Sequence, residues 1–203
     1  MSVEKVSYYE DFNEIEKKLW SLLVRAVNDR NSEFRTPVFI CGDKDNLDGR
    51  VVVLRKADYE NNIVQFHSDI RSTKISIIKN NPNCSLLFYG KKEKIQLRMK
   101  VNCEIHHNDK IAKESWNKTG HISRKCYLVT DGPGTKSEKP TSGLNDKFDN
   151  FNFSKEESEE GYKNFCVIKC KIKSIEWLYL AAKGHRRALI DFNESKKFTW
   201  LVP

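Results

Sequence analysis

The segment IQLRMKVNCEIH (residues 95–106) alternates between apolar and polar side chains at each of its twelve positions. Side chains of a β-strand point to its two faces in turn, so this pattern predicts one long strand with an apolar face and a polar face. The apolar face is expected to cover a core, and the polar face to meet solvent or a ligand. The chain is therefore expected to be built around a β-sheet.

Shorter strand patterns lie on both sides of this segment. Residues 50–55 (RVVVLR) are an apolar run between two arginines, which is typical of a strand buried on both faces. Asn61-Asn62 predicts a hairpin turn, and residues 43–49 (DKDNLDG) predict a turn-rich loop. The remaining strands are predicted at residues 37–41, 63–67, 85–89, 165–173, 175–181, 186–192 and 198–202.

Helical patterns occupy other parts of the chain. Residues 11–28 carry apolar side chains three and four positions apart, which predicts an amphipathic helix that covers an end or a face of the sheet. A short helix is predicted over residues 72–80, with Ser72 as its N-cap. Two further helices are predicted over residues 109–118 and 121–129.

Residues 130–155 have no periodicity and contain DGPGTK and KPTSG, which predicts a long irregular loop. A loop of this length in a compact domain is usually a functional lid or a mobile segment. Because the predicted strands follow one another at hairpin-length connections, an antiparallel barrel is favoured over a parallel sheet. We predict a mainly β fold of the α+β class with peripheral helices, in one domain over residues 1–203 with a helical cover at residues 1–30.

The composition describes a soluble globular protein. Of the 203 residues, 38% are hydrophobic and 32% are charged, and the mean hydropathy is −0.66. No apolar run approaches the ~20 residues that a membrane-spanning helix needs. The first residues, MSVEKVSYYEDF, lack the apolar core of a signal peptide. We therefore expect a cytoplasmic protein that does not enter a membrane.

The cysteines and histidines predict no metal or catalytic centre. The six cysteines form no CxxC motif, and none lies near a histidine at zinc-finger spacing, so they are expected to be free, buried thiols. The five histidines form no recognisable catalytic triad.

The net charge of +8 suits an anionic ligand. The lysines are scattered along the chain rather than gathered on one stripe, and the densest group, KKEK at residues 91–94, lies in a predicted turn. A small phosphorylated ligand is therefore favoured over a nucleic acid.

Four segments, in this order, resemble the pyridoxamine 5′-phosphate oxidase family: residues 50–55 (RVVVLR), 66–74 (FHSDIRSTK), 95–101 (IQLRMKV) and 176–189 (EWLYLAAKGHRRAL). The closing residues 200–203 (WLVP) also resemble that family's terminus. The resemblance implies an FMN-binding split β-barrel. It also implies a homodimer with FMN at the subunit interface.

The likeness is closest to an uncharacterised flavin-binding branch of the family, whose RSxK pattern and PG loop match residues 71–74 (RSTK) and Pro133-Gly134. A phosphate dianion binds fixed positive charge and free N–H donors. Arg71, Ser72 and Lys74 stand at the predicted start of a helix, which suits the phosphate of FMN. Without the resemblance they would describe an ordinary capped surface helix.

The resemblance implies further FMN contacts along the chain. Gln96 matches the family's flavin-contacting glutamine, whose amide can donate to and accept from the pyrimidine edge of the flavin ring. Near the C-terminus the register stays open, because Tyr179 could replace Trp177 and Arg186 could replace Arg187. The residues implied to contact FMN are Arg50, Val51, His67, Ser68, Arg71, Ser72, Lys74, Gln96, Trp177 and Arg187.

The substrate side departs from the true oxidase. Arg55 matches a lysine that contacts substrate in the family, and Arg186 is a second candidate for a substrate contact. Arg50 and Arg55 are five positions apart, so on one regular strand they would point to opposite faces and not serve one group equally. The family's other substrate residues are not reproduced in residues 116–125 (WNKTGHISRK) or 184–189 (GHRRAL).

These observations support three hypotheses for function. The first is an FMN-dependent oxidoreductase related to pyridoxamine 5′-phosphate oxidase, with an altered site for a small-molecule substrate. The second is a non-catalytic flavin carrier, sensor or stress protein on the same barrel, so the residues leave open whether the chain is an enzyme. The third, motivated only by the net charge, is a basic nucleic-acid-binding barrel.

Overall fold

Within the residues that the structure describes, nine antiparallel strands form one curled sheet. The structure is a computed structural model that describes residues 7–43, 46–148 and 153–203. The strands are β1 (Val38–Asp43), β2 (Asn46–Val51), β3 (Leu54–Asp58), β4 (Ile63–Asp69), β5 (Asn83–Gly90), β6 (Ile95–His106), β7 (Phe165–Tyr179), β8 (Arg186–Asp191) and β9 (Lys197–Leu201). The α-helices are α1 (Phe12–Asn28), α2 (Thr73–Asn80), α3 (Lys110–Lys118) and α4 (His121–Arg124).

The alternating segment forms β6 over all of its predicted residues, between β5 and β7. Its odd-numbered side chains from Ile95 to Cys103 are buried in the core. Gln96, Arg98 and Lys100 lie on the opposite face of the sheet, called the outer face below. The predicted long strand and its two-faced pattern are confirmed.

The sheet curls into a barrel that does not close. Its strands follow the order β2-β1-β5-β6-β7-β4-β3, and the second edge of β7 pairs first with β4 and then with β8, which carries β9. β2 and β3 stand at the two ends of this order, although only Val52 and Val53 separate them in the sequence. The predicted antiparallel split barrel of the α+β class is confirmed.

Helix α1 covers one side of the core, as predicted for residues 11–28. The Asp11 carboxylate caps the helix by accepting the N–H of Glu14 at 3.0 Å. Glu16 is buried and pairs with Lys196 at 2.8 Å, which ties the helix to the C-terminal hairpin. The stripe that joins the core consists of Ile15, Leu19, Trp20, Leu22, Leu23 and Ala26.

The prediction of a loop over residues 43–49 is wrong for those residues of the range that the structure describes. Residues 46–49 belong to β2 and pair with β1, with Gly49 opposite Ile40. Residues 44 and 45 lie outside the described residues. Asn, Asp and Gly favour turns locally, but the antiparallel ladder with β1 satisfies the backbone groups and overrides that preference.

The single buried strand predicted over residues 50–55 is also wrong. The chain bends at Val52 and Val53, so β2 ends before β3 begins. Val51 is 64% exposed, because it lies on the outer face of an edge strand. The apolar run therefore serves two strands at opposite ends of the sheet.

Two further element boundaries differ from the predictions. Helix α4 ends at Arg124 and a 3-10 turn follows at Lys125–Tyr127, where a helix was predicted to continue to residue 129. Residues 165–179 form one strand with a bulge at Lys173, where two strands were predicted. The predicted loop over residues 130–155 is irregular apart from one 3-10 turn at Asp146–Phe148, and its residues 149–152 lie outside the described residues.

The fully buried side chain of Arg124 connects α3 and α4 to the 3-10 helix Glu157–Asn164. Its guanidinium donates to the backbone oxygens of Trp116 and Thr119 at 2.7 and 3.0 Å. It also donates to Glu159 Oε1 at 2.6 Å and to Ser158 Oγ at 3.2 Å. The cation lies over the Trp116 ring, 4.4 Å from its centroid, so one side chain satisfies several buried groups at once.

All six cysteines are free, as predicted, and five of them are buried. Cys126 differs from the prediction because it is exposed on the 3-10 turn after α4. In the described part of the chain, no helix has both the length and the apolar character needed to cross a membrane.

Candidate functional site

A cleft of about 340 Å³ opens beside the bend between β2 and β3. The end of β4 and the start of α2 form one side. Residues 126–133, called the wall segment below, form the other side through Cys126, Tyr127 and Pro133. Seven residues selected from the sequence line this cleft: Arg50, Val51, Arg55, His67, Ser68, Ser72 and Lys74.

Lys74 lies in the cleft with its ammonium group between two serine hydroxyls. Its Nζ donates to Ser68 Oγ at 2.9 Å and to Ser72 Oγ at 2.6 Å. Burial, followed by repulsion from Arg50, lowers the pKa of Lys74. An anion placed beside this ammonium would stabilise it, because the anion offsets both the lost hydration and the repulsion.

Arg50 supplies a second cation to the same place. It forms an ion pair with Asp48, and its NH1 donates weakly to Ser72 Oγ at 3.5 Å. Its Nε is buried and has no hydrogen-bond partner within the described residues. The guanidinium therefore retains a buried donor that an anionic oxygen could accept.

The start of α2 adds backbone donors. Ser72 occupies the N-cap position, but its hydroxyl faces Lys74 and makes no capping hydrogen bond. N–H groups in the first turn of a helix have no partner inside the helix and carry partial positive charge. Two cations, two hydroxyls and a helix N-terminus thus converge, and this donor set fits a phosphate monoester.

The bend at Val52 and Val53 brings Arg50 and Arg55 to one cleft, contrary to the expectation for a continuous strand. Within the described residues, Arg55 makes no hydrogen bond or ion pair with another side chain. Its guanidinium is therefore available to a second anionic group in the cleft.

His67 lies in the cleft as a neutral imidazole. Its ring meets Phe165 edge-on, with the ring centroids 4.8 Å apart. Burial, and after it the charge of Arg55, lowers the pKa of His67 to about 3. At neutral pH the ring offers one N–H donor and one acceptor.

The neutral His67 predicts an acid-sensitive fold. Its pKa is about 3 in the folded protein against 6.5 for an ordinary histidine, so between these values the unfolded state binds more protons and stability falls as the pH falls. Between pH 7 and pH 5 the flavin-free wild type should lose about 2 kcal/mol more free energy of unfolding than His67→Gln. Urea unfolding at both pH values measures this difference. Equal losses would contradict a buried, neutral His67.

Arg71 stands at the start of α2 but is directed away from the cleft. It donates to both carboxylate oxygens of Asp69 and to the backbone oxygens of Val129 and Thr130. These bonds use four of the five N–H donors of a guanidinium. The side chain lines a depression on the far side of the wall segment, so its predicted phosphate contact has one guanidinium N–H left to use.

Gln96 and Arg187 lie on the outer face, away from the cleft of their own chain. The strand register places Leu178 between them, since it is opposite Gln96 on one edge and Arg187 on the other. Arg187 donates to Glu176 at 2.9 Å, and its Nε is buried without a hydrogen-bond partner in the described part of the chain. The structure brings Gln96 and Arg187 together, but not with Lys74.

Neither aromatic residue considered for the C-terminal flavin contact occupies that outer-face position. Trp177 is 1% exposed and packs in the core near Tyr9 and Tyr179. The bulge at Lys173 reverses the facing of later residues, so Trp177 points inward and Leu178 outward. Arg186, the alternative to Arg187, lies 4.0 Å from Glu10 and does not line the cleft.

Six residues that line the cleft were not among the site residues selected from the sequence, and two of them lie on the turn after α4. Cys126 and Tyr127 belong to the 3-10 turn that follows α4, where a continuing helix was predicted. Burial raises the pKa of Tyr127 well above its ordinary value, so the phenol keeps its proton. No local pattern marks these residues, because the fold alone brings their turn to α2.

The comparison with known families matches residues 20–107 to the pyridoxamine 5′-phosphate oxidase FMN-binding domain. This segment contains β1 to β6 and every cleft residue selected from the sequence. A comparison with curated proteins found no match.

Solved structures share the fold over nearly the whole chain. A pyridoxamine 5′-phosphate oxidase-related, FMN-binding protein from Nostoc punctiforme is 17% identical and superposes with a TM-score of 0.74, covering 92% of this chain and 97% of that chain. PhzG from Burkholderia lata, in complex with tetrahydrophenazine-1-carboxylic acid, is 14% identical with a TM-score of 0.69, covering 100% and 99%. A protein related to general stress protein 26, from Clostridium acetobutylicum, is 10% identical with a TM-score of 0.52, covering 86% and 97%.

At these identities the structural likeness shows the fold, and the family match adds the sequence of the segment that builds the cleft. The chain therefore resembles the pyridoxamine 5′-phosphate oxidase-related FMN-binding proteins, in the sequence of residues 20–107 and in fold, as the sequence analysis predicted.

Proposed function

We propose that this protein binds FMN in the cleft and is an FMN-dependent oxidoreductase that acts on a small molecule. The proposal rests on the hydrogen-bond donors and positive charges in the cleft, whose arrangement fits a phosphate monoester. Lys74 and Arg50 meet the hydroxyls of Ser68 and Ser72 at the start of α2. The match of residues 20–107 to an FMN-binding domain supports FMN as the phosphate ester.

Bound FMN would supply electron and hydride transfer, while the protein binds and orients the reactants. Lys74 and Arg50 would hold the phosphate at one end of the cleft. The uncharged His67 ring and the protonated phenol of Tyr127 would offer hydrogen bonds to uncharged groups. Arg55 is placed to hold an anionic group of the substrate, because no carboxylate in the described residues pairs with it.

Turnover tests the oxidoreductase function. With an electron acceptor such as dioxygen present to reoxidise the reduced flavin, FMN-loaded protein should oxidise pyridoxamine 5′-phosphate or a reduced nicotinamide in the steady state. Arg55→Met should lower turnover while FMN binding is retained. A protein that binds FMN tightly but turns over neither substrate would contradict the proposal and favour a flavin carrier.

We also propose that the protein is a homodimer with FMN at the subunit interface. The outer face is a continuous surface whose cross-strand neighbours are apolar at one end and charged at the other. Val51, Val38 and Leu87 form one row, which Arg98 and Glu176 continue. A groove of about 850 Å³ runs over this face, and a second copy could fill it.

The dimer would explain why the predicted FMN residues form two groups. In one chain, Gln96 and Arg187 lie on the outer face and Lys74 lies in the cleft. In a dimer built on this face, the first group of one chain could complete the cleft of the other. The Nε atoms of Arg50 and Arg187, which are buried and have no hydrogen-bond partner among the described residues, would then both face FMN.

Leu87→Glu is expected to convert the dimer to a monomer. The new carboxylate would lie in the apolar row of the outer face, where a second subunit would bury it without a partner. Val24→Glu, on the exposed side of α1, is the matched control and should leave the dimer intact. Light scattering should give about twice 23.7 kDa for the wild type and the control, and 23.7 kDa for Leu87→Glu. A monomeric wild type, or a dimeric Leu87→Glu, would refute this interface.

A further inference from the structure

We propose that Arg71 is a positioning residue, which holds the wall segment against the cleft and does not bind the FMN phosphate directly. The flavin measurements below rest on the FMN site proposed above. The contacts of Arg71 with the wall segment are independent of flavin and are tested separately.

Arg71 is first held in place by Asp69. Oδ1 of Asp69 accepts the backbone N–H of Arg71 at 2.8 Å and its Nε at 3.0 Å, and Oδ2 accepts NH2 at 2.7 Å. These bonds fix the guanidinium in one orientation. They also neutralise the Asp69 carboxylate, which lines the cleft and would otherwise repel a phosphate there.

From this position Arg71 reaches the wall segment. Its NH1 donates to the backbone oxygen of Thr130 at 2.9 Å, and its NH2 donates to that of Val129 at 3.2 Å. The two partners are far from Arg71 in sequence, so the bonds connect an irregular segment to the end of β4. A planar guanidinium can serve the carboxylate and both carbonyls at the same time, which an ammonium cannot do with the same geometry.

Gly132 packs directly on the Arg71 side chain. A Cβ added at Gly132 would lie 3.1 Å from the Cβ of Arg71, closer than ordinary van der Waals contact. The next residue, Pro133, lines the cleft. The close approach at Gly132 therefore determines how near Pro133 stands to the ligand.

A phosphate-binding role and a wall-positioning role of Arg71 predict different ratios of FMN affinity to riboflavin affinity. A residue that binds the phosphate contributes to FMN binding but not to the binding of riboflavin, which has no phosphate. A residue that positions the wall contributes to both flavins alike. For Arg71→Gln we expect both affinities to fall by about fivefold, with an unchanged FMN-to-riboflavin ratio. Lys74→Met should lower the ratio.

Proteolysis tests the wall contact without flavin. In the flavin-free protein, trypsin should cleave after Lys136 faster in Arg71→Gln than in the wild type. Gly132→Ala keeps the Arg71 side chain, but the added Cβ forces residue 132 away from it. This variant should therefore also be cleaved faster than the wild type. Gly120→Ala is the matched control and should be cleaved at the wild-type rate, because among the described residues no atom beyond the adjoining ones lies within 4 Å of the added Cβ.

A lower FMN affinity with unchanged riboflavin affinity in Arg71→Gln would identify Arg71 as a phosphate ligand and overturn the proposal. Unchanged cleavage in both Arg71→Gln and Gly132→Ala would also overturn it. If Arg71→Gln fails to fold, Gly132→Ala decides through the same two measurements. If the wild type binds neither flavin, the proposed function fails, and the cleavage rates still decide whether Arg71 holds the wall segment.

Discussion

Lys74→Met should weaken FMN binding by about 10- to 150-fold, because it removes a charge-assisted contact to the phosphate that contributes about 1.5–3 kcal/mol. Methionine keeps the unbranched stem of lysine and removes only the ammonium group. Riboflavin binding should be almost unchanged. Titration of each flavin by fluorescence quenching gives both affinities.

The stability of the flavin-free protein distinguishes a binding role from a structural role of Lys74. Burial and repulsion from Arg50 both oppose the charged ammonium, so its removal should not lower the melting temperature. Lys79→Met, at an exposed position of the same helix, is the matched control and should bind FMN like the wild type. An equal loss of affinity for FMN and for riboflavin, or a Lys74→Met variant that does not fold, would show that Lys74 is structural.

Arg124→Met should lower the free energy of unfolding by about 3–4 kcal/mol, since it leaves buried carbonyl oxygens without donors. The two carbonyls belong to Trp116 and Thr119, and the cation over the Trp116 ring is lost with them. Because Arg124 immediately precedes the turn that carries Cys126 and Tyr127, the cleft should also lose its order. Urea unfolding at pH 7 measures the change.

Lys113→Met provides the comparison for Arg124. Lys113 also pairs with Glu159, at 3.3 Å, but from a half-exposed position on the surface of α3. Surface ion pairs contribute about 0–1 kcal/mol, so this variant should stay close to the wild type. If Arg124→Met lowers the free energy of unfolding by no more than Lys113→Met does, the buried hydrogen bonds of Arg124 do not stabilise the fold as described.

The sequence predicted those elements whose pattern is local and strong. The alternation of residues 95–106 marked β6 without error, and the apolar spacing of residues 11–28 marked α1. It could not predict β2, because Asn46 to Gly49 form a strand only through pairing with β1. It also could not predict the bulge at Lys173, which appears only when β7 is aligned with β6.

The same distinction applies to the candidate site. Ser72 and Lys74 were predictable because they lie together at the start of one helix, next to the strand that carries Ser68. The direction of Arg71 was not predictable, since its partners Val129 and Thr130 are distant in sequence. Likewise, Arg50 and Arg55 line one cleft because the chain bends between β2 and β3. A bend between strands at opposite ends of a sheet has no local signature in the sequence.

Titration of the purified protein with FMN and with riboflavin, followed by visible absorption and flavin fluorescence, tests the central claim most directly. The account predicts that FMN binds once per chain, with quenched fluorescence, and that riboflavin binds at least about tenfold more weakly because it cannot use Lys74 and Arg50. Absence of FMN binding, or equal affinity for the two flavins, would contradict a flavin phosphate site in this cleft.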